Sequence, residues 1–188
     1  MRIERHRALW ALGLLVAMLG LVGPSLAQSV VDDFADGSVD PAWTLVGIGN
    51  ANQESVREIG GVLELTADGS TAFSAADNGG FVYREVTGDF RAEVTIDGTG
   101  MTTGGQYRKA GLMVRGDLNP WAPRVLHLLA PYWQNGNQTR LQSVIRETQG
   151  GSGRLPLNQD TIGVPRVLRL AVQRVGDVVT VEHSTDGG

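Results

Sequence analysis

Apolar and polar residues alternate along several short stretches of the chain. The clearest stretch is Phe90–Asp97, where Ala92, Val94 and Ile96 face one way and the polar or charged residues between them face the other. The same period of two recurs in three further segments, Gly61–Thr66, Val167–Arg174 and Val178–Ser184. This period is typical of a β-strand with one buried face and one polar face. The pattern therefore predicts short strands, and only the first residues of the chain offer a helical stretch.

Residues that favour turns separate these strands. They cluster at Asp68–Ser70, Asp77–Gly80, Thr87–Asp89, Asn135–Asn137 and Gly150–Gly153. About ten short strands joined by such turns favour an all-β fold, an antiparallel two-sheet β-sandwich or jelly roll. No linker or repeat divides the chain, so we expect one such domain over residues 28–188.

The first 27 residues have a character of their own. Three arginines precede Ala8–Val22, a run of 15 residues without charge, and small residues follow as far as Ala27. This order predicts a secretory signal peptide over residues 1–27, cleaved after Ala27. The alternative is a membrane anchor, but the run is shorter than the roughly 20 residues that cross a bilayer. We therefore expect an extracellular or periplasmic protein that is not attached to a membrane after cleavage.

Charge and cysteine content exclude several classes of function. The chain has 16 Lys+Arg and 20 Asp+Glu, a net charge of −4, which becomes −6 when three arginines and one glutamate leave with the leader. An acidic domain without a basic stripe is not expected to bind nucleic acid. The absence of cysteine excludes disulfides, thiol nucleophiles and zinc–thiolate sites.

The C-terminal segment ends in an unusual way. The strand Val178–Ser184 is followed by Thr185–Gly188, which has the composition of a hairpin turn, and there the sequence stops. A turn without a return strand predicts a β-sandwich that lacks its last strand or strands and leaves a sheet edge open. The alternative is a natural C-terminus with a frayed tail.

Short motifs from about Val31 to the last residue carry a family resemblance. They are Asp33-Phe34 with Asp36-Gly37-Ser38 and Trp43, Phe81–Arg84, Gly88–Val94, Ala110–Arg115, Arg166–Arg174 and Ser184–Gly187. Together they resemble a branch of bacterial secreted domains in the concanavalin A-like lectin/glucanase superfamily, often labelled "regulation of enolase". The resemblance implies a concanavalin A-like jelly roll, export, and further strands after the final turn. It implies no agreed activity, because a fold does not determine a function.

A cluster of aromatic and amide side chains is the candidate ligand site. A sugar ring stacks on an aromatic side chain while polar groups bind its hydroxyls. Because the cluster adjoins a predicted turn, we expect its rings at the surface, although they could instead cap the core. The predicted stacking residues are Trp133 and Tyr132, with His127, Asn135, Asn137 and Arg140 as polar partners. This cluster predicts a non-catalytic module that binds a glycan or polysaccharide.

Two other functions stay open at this stage. Glycoside hydrolysis needs two carboxylates about 5–5.5 or 6.5–9.5 Å apart, whereas Glu93 and Asp97 are separated by about 13 Å of strand. An acid from a neighbouring strand, such as Glu85 or Glu182, would be needed as the partner of Glu93, so no catalytic residue is assigned. The third possibility is a structural or adhesion module of a larger surface protein.

No cofactor is predicted, with one alternative left open. Asp32, Asp33 and Asp36, and separately Asp77-Asn78, supply the oxygen ligands that calcium prefers. The spacing of a calcium-binding loop is absent, and Asp77–Gly80 has the composition of a simple turn. The resemblance to the concanavalin A-like superfamily, which sometimes uses calcium, implies that a structural calcium ion is possible here.

Overall fold

The computed structural model describes residues 31–49, 54–67, 75–97, 109–132, 138–161 and 167–184. The predicted leader and the terminal turn Thr185–Gly188 lie outside these ranges. Every regular element within them is a β-strand, and they contain no helix that is long and apolar enough to cross a membrane. The strands are β1 (Thr44–Ile48), β2 (Glu54–Glu58), β3 (Leu63–Ala67), β4 (Gly79–Tyr83), β5 (Phe90–Asp97), β6 (Ala110–Arg115), β7 (Arg124–Tyr132), β8 (Gln138–Arg146), β9 (Arg154–Thr161), β10 (Val167–Val175) and β11 (Val178–Ser184).

All of the strand pairs are antiparallel. Strands β6, β7, β8 and β9 form a four-stranded sheet in chain order, and β10 lies between β11 and β5 in a three-stranded sheet. Two further pairs join β1 to β4 and β2 to β3. The predicted all-β, antiparallel class is therefore confirmed.

The two larger sheets pack against each other through one apolar cluster. Leu129, Leu141 and Leu157 from the four-stranded sheet meet Leu168 and Leu170 from the three-stranded sheet. Burial of each such side chain contributes about 1.5–3 kcal/mol. Exposure along β5 alternates residue by residue, as its sequence predicts, because its apolar side chains enter this core and its polar ones face outward.

Strand β7 departs from the alternating pattern because both of its faces are buried. Leu129 belongs to the core between the sheets, while Leu126, Leu128 and Ala130 form a second cluster on the opposite face. A strand buried on both sides shows a continuous apolar run in its sequence. For that reason the alternation of residues did not reveal β7.

The turn predicted at Asp77–Gly80 is wrong. Gly79 and Gly80 belong to β4, where they pair with Ile48 and Gly47 of β1. The ladder of hydrogen bonds to β1 outweighs the local preference of these residues for a turn. Thr87–Asp89 and Gly150–Gly153 do lie in connections between strands, as predicted, whereas Asp68–Ser70 and Asn135–Asn137 lie outside the described residues.

Candidate functional site

The predicted stacking residues lie where β7 meets β8. Tyr132 ends β7 and its backbone pairs with Gln138 at the start of β8, so residues 133–137 join two paired strands. The side chain of Tyr132, and Trp133, Asn135 and Asn137 as a whole, lie outside the described residues. Their role in binding therefore stays a prediction from the sequence.

The structure separates the two remaining members of the predicted site. Arg140 is partly exposed in β8, opposite Ala130, on one face of the four-stranded sheet. His127 is 0% exposed in the middle of β7 and lies on the other face, towards the three-stranded sheet. His127 therefore does not share a surface with Arg140, because it is buried on the opposite face of the sheet, in mid-strand and not at the strand end that the sequence suggested.

The buried His127 has polar neighbours of its own. Its Nδ1 lies 2.9 Å from the Oγ of Ser143, and its ring centroid is 5.8 Å from that of His183 in β11. A hydroxyl beside an imidazole is the beginning of a nucleophile–base pair. Both His127 and Ser143 are 0% exposed, however, so a substrate cannot reach the hydroxyl. The contact is part of the interior.

Burial of His127 makes stability depend on pH. Desolvation, followed by the nearby His183, lowers the pKa of His127 to about 4, below its ordinary value of 6.5. The unfolded chain then binds the proton more tightly, so stability is lost as the pH falls from about 6.5 towards about 4. We expect His127 to account for a loss of roughly 2–4 kcal/mol across this interval.

Urea unfolding of the wild type and of His127→Gln at pH 7, 5.5 and 4 tests this expectation. The variant should lose less stability on acidification than the wild type, since it has no imidazole to protonate. Carboxylate titrations affect both proteins equally and cancel in the difference. Parallel stability curves for the two proteins would contradict the assignment.

The outer face of the three-stranded sheet carries a network of ion pairs. Glu93 and Glu182 lie on either side of Ala171, each in register with it. Arg91 bridges the two carboxylates, with its Nε 2.5 Å from Glu93 and its Nη1 2.9 Å from Glu182. Arg169 contacts Glu93 as well, and a shallow depression of ≈ 210 Å³ adjoins this pair.

Glu93 in this network does not have the properties of the general acid of a glycosidase pair. Glu93 and Glu182 share a face, with about 10 Å between their Cα atoms, since two strand spacings separate them. A general acid needs a carboxyl with a raised pKa. Hydrogen bonds from Arg169 and then Arg91 instead lower the pKa of Glu93. The arginines therefore keep Glu93 charged, and Glu85 lies in the connection between β4 and β5 and not in a strand of this sheet.

A second ionic cluster, buried around Asp77, was missed by the sequence reasoning. Arg115, Arg124 and Arg146 lie in register across β6, β7 and β8, and all three reach the Asp77 carboxylate. The closest contacts are 2.7 Å from the Nε of Arg124 and 2.7 Å from the Nη2 of Arg146. Three guanidinium groups around one carboxylate repel a cation, which disfavours Asp77 as the calcium ligand that the sequence left open.

The N-terminal aspartates form a different environment. Asp32 accepts hydrogen bonds from the backbone N–H of Phe34 and the indole Nε1–H of Trp43, both at 2.9 Å. Asp36 accepts the backbone N–H of Ser38 at 2.8 Å. Glu58, at the end of β2, is buried and lies close to Asp36, although nothing in its sequence context indicated this. Among the described residues, no group of three or more His, Cys, Asp or Glu side chains could hold a metal ion.

Similarity to known proteins does not indicate a function for this chain, so a function can be proposed only from the residues described above. These residues form two ionic clusters, around Asp77 and around Glu93, and a buried histidine, His127. In addition, aromatic and amide residues follow Tyr132 in the sequence, at the end of the β7–β8 pair. The chain matches no protein-family model, no curated protein and no solved structure.

Proposed function

We propose that this chain is an exported module with a concanavalin A-like jelly roll that binds a glycan without cleaving it. The binding edge is the connection between β7 and β8. The observation that carries the proposal is the pairing of these strands as far as Tyr132 and Gln138, which leaves the five residues Trp-Gln-Asn-Gly-Asn to join them. Ligand-binding residues often lie in short connections between paired strands, because the strands hold the ends of the connection in place.

The chemistry of this edge suits a polyhydroxylated ligand. Tryptophan and tyrosine offer flat apolar faces to the C–H groups of a sugar ring, and asparagine both donates and accepts hydrogen bonds. Arg140 is partly exposed two residues into β8 and adds a charged donor near the same edge. The proposed site therefore consists of Trp133, Tyr132, Asn135, Asn137 and Arg140, without His127.

Binding without hydrolysis is favoured by the state of the surface carboxylates. The exposed pair that lies on one face, Glu93 and Glu182, is bridged by Arg91. Hydrolysis would require a general acid that holds a proton near neutral pH, and the arginines beside Glu93 lower its pKa and oppose that role. A binding module needs no such group, so the ion pairs are compatible with it.

A glycan array followed by calorimetric titration of the purified protein tests this proposal. Trp133→Ala is expected to weaken binding at least tenfold, about 1.4 kcal/mol, because it removes the main stacking surface. Trp121→Ala is the matched control: Trp121 is 48% exposed but adjoins the start of β7, the opposite end of that strand from residue 133. This control should bind like the wild type.

Two outcomes would contradict the proposal. Equal loss of binding in both tryptophan variants would remove the β7–β8 connection as the site. A folded wild type that binds no glycan would reject carbohydrate recognition and favour a structural or adhesion role.

A further inference from the structure

The outer edge of the three-stranded sheet is formed by β11. Among the described strands, β11 pairs only with β10, which lies at the centre of that sheet. An edge strand presents backbone N–H and C=O groups on its outer side, where they can pair with a further strand. Strand β5, at the opposite edge, instead lies against β6 of the four-stranded sheet. Strand β11 is therefore the edge of this sheet at which the hydrogen-bonded ladder could continue.

The turn between β10 and β11 fixes which residues of β11 face outward. Val175 pairs with Val178 across a two-residue turn, and the first turn residue, Gly176, has φ +57°, as in a type II′ hairpin. Residues that flank such a turn exchange hydrogen bonds, and hydrogen-bonded pairs alternate with non-bonded pairs along the ladder. The residues of β11 that direct their backbone groups away from β10 are therefore Val179, Val181 and His183.

Strand β9, at the edge of the four-stranded sheet, is protected against pairing with a further strand, whereas β11 is not. Pro156 lies within β9, and the β8–β9 pairing shifts register there, between Ser143 and Ile145. Proline and bulges prevent an edge from accepting another strand. Strand β11 contains no proline, glycine or lysine, and it stays in continuous register with β10 over its seven residues. The acidic residue of β11, Glu182, already pairs with Arg91 on the sheet face.

We propose that β11 pairs with β11 of a second copy of this chain, antiparallel and about a two-fold axis at Val181. This register overlaps the whole strand and pairs the outward backbone groups of Val179 with those of His183 in the second copy. On the sheet face it places Glu182 opposite Thr180 of the second copy, whereas an axis at Glu182 would set two carboxylates opposite each other. A two-fold contact of this kind uses the same patch twice and closes without forming a fibre. The strand is thus self-complementary, which favours a second copy over an unrelated partner.

We expect a weak dimer, because the contact is short. Seven residues of strand span about 23 Å, so the pairing buries less than the roughly 1,200–2,000 Å² of a standard interface. The dissociation constant should lie on the order of 10–100 μM. Sedimentation velocity of the purified protein, over a concentration series that spans this range, should show a monomer–dimer equilibrium. The measurement needs no glycan, so its outcome is independent of the proposed function.

Two variants at Thr180 should shift this equilibrium in opposite directions. Thr180 is partly exposed on the outer sheet face, so neither substitution enters the core. Thr180→Lys places a positive charge opposite Glu182 of the second copy and should strengthen the dimer, whereas Thr180→Glu should weaken it. Each change acts twice in a two-fold contact, so we expect the dissociation constant to change about 3- to 30-fold in each direction. Thr95→Lys and Thr95→Glu, on β5 of the same face, are the controls and should leave it unchanged.

Introduced cysteines test the register directly, since the chain contains no cysteine of its own. Thr180→Cys combined with Glu182→Cys places a cysteine of each copy opposite one of the other, within the Cα separation of about 4.4–6.8 Å that a disulfide requires. Mild oxidation should convert this double variant into a covalent dimer. Either single variant has no cysteine opposite it in this register and should cross-link far more slowly, so the two single variants are the matched controls.

Three results would overturn the proposal. The first is a wild type that remains monomeric at about 1 mM. The second is a dimer that responds to neither substitution at Thr180, because the contact would then lie on another surface. The third is cross-linking of the single-cysteine variants as fast as that of the double variant, because the strands would then not hold the proposed register.

Discussion

Replacing Asp77 with asparagine is expected to lower the free energy of unfolding by about 3–5 kcal/mol. The variant keeps the shape of the side chain but removes the negative charge that Arg115, Arg124 and Arg146 share. Burial lowers the pKa of the Arg124 guanidinium, and the carboxylate of Asp77 acts against this, so the charged arginine depends on its partner. Without Asp77, three guanidinium groups would remain together in the interior.

The surface network provides the control for this experiment. Glu93→Gln also removes a carboxylate that contacts two arginines, but Arg91 and Arg169 are 42% and 43% exposed. Exposed ion pairs contribute about 0–1 kcal/mol, so this variant should unfold close to the wild-type midpoint. Urea unfolding monitored by tryptophan fluorescence measures both. Similar losses in the two variants would show that the Asp77 cluster is not desolvated as its burial implies.

Gly49→Ala is expected to destabilise the protein by about 2–5 kcal/mol, in two parts. The first is backbone strain, because Gly49 has φ +74°, a conformation that costs an L-residue about 1–2 kcal/mol. The second is a collision, because a Cβ at this position would lie 2.5 Å from the carbonyl oxygen of Asp77. Crowding of this kind adds about 1–3 kcal/mol. The Asp77 backbone cannot move away freely, since its N–H is bonded to the Pro120 carbonyl and its side chain to the arginines.

Gly88→Ala isolates the first part of this effect. Gly88 has the same φ of +74°, yet a Cβ there would meet nothing within 4 Å. Its variant should lose only the strain energy, about 1–2 kcal/mol. The difference between the two alanine variants in denaturant midpoint then measures the contact with Asp77. Equal losses at both positions would mean that the β1–β4 pair adjusts without disturbing Asp77.

The sequence predicted best the strands that bury one face. The bounds of β5 and β11 coincide with the alternating runs Phe90–Asp97 and Val178–Ser184, because side chains on such strands alternate between core and solvent. For β7 the same reasoning failed, since a strand between two apolar clusters has no polar face. His127 was assigned to the surface for that reason.

The ionic clusters could not be predicted from the sequence, for a different reason. Arg115, Arg124 and Arg146 become neighbours only through the register of β6, β7 and β8, and Asp77 joins them from far along the chain. Local composition around Asp77 favoured a turn. The sequence did contain one indication of a buried ionic cluster. Each of the three arginines adjoins an apolar strand segment, where an unpaired charge would be costly, so each was expected to need an acidic partner. Glu58 gave no such signal, because Val56 is the one apolar residue of its strand Glu54–Glu58 and the composition is that of an exposed strand.

The order of strands in the three-stranded sheet has a consequence for how the chain folds. Strands β6 to β9 pair with their sequence neighbours, so this sheet can form from local contacts. The pairing of β5 with β10 closes a loop that contains all four of those strands. Loop closure costs entropy that only a compact intervening segment reduces, and non-local pairing slows folding. We therefore expect the four-stranded sheet to form before the β5–β10 pairing and to bring these two strands together, whereas β10 and β11 can pair locally.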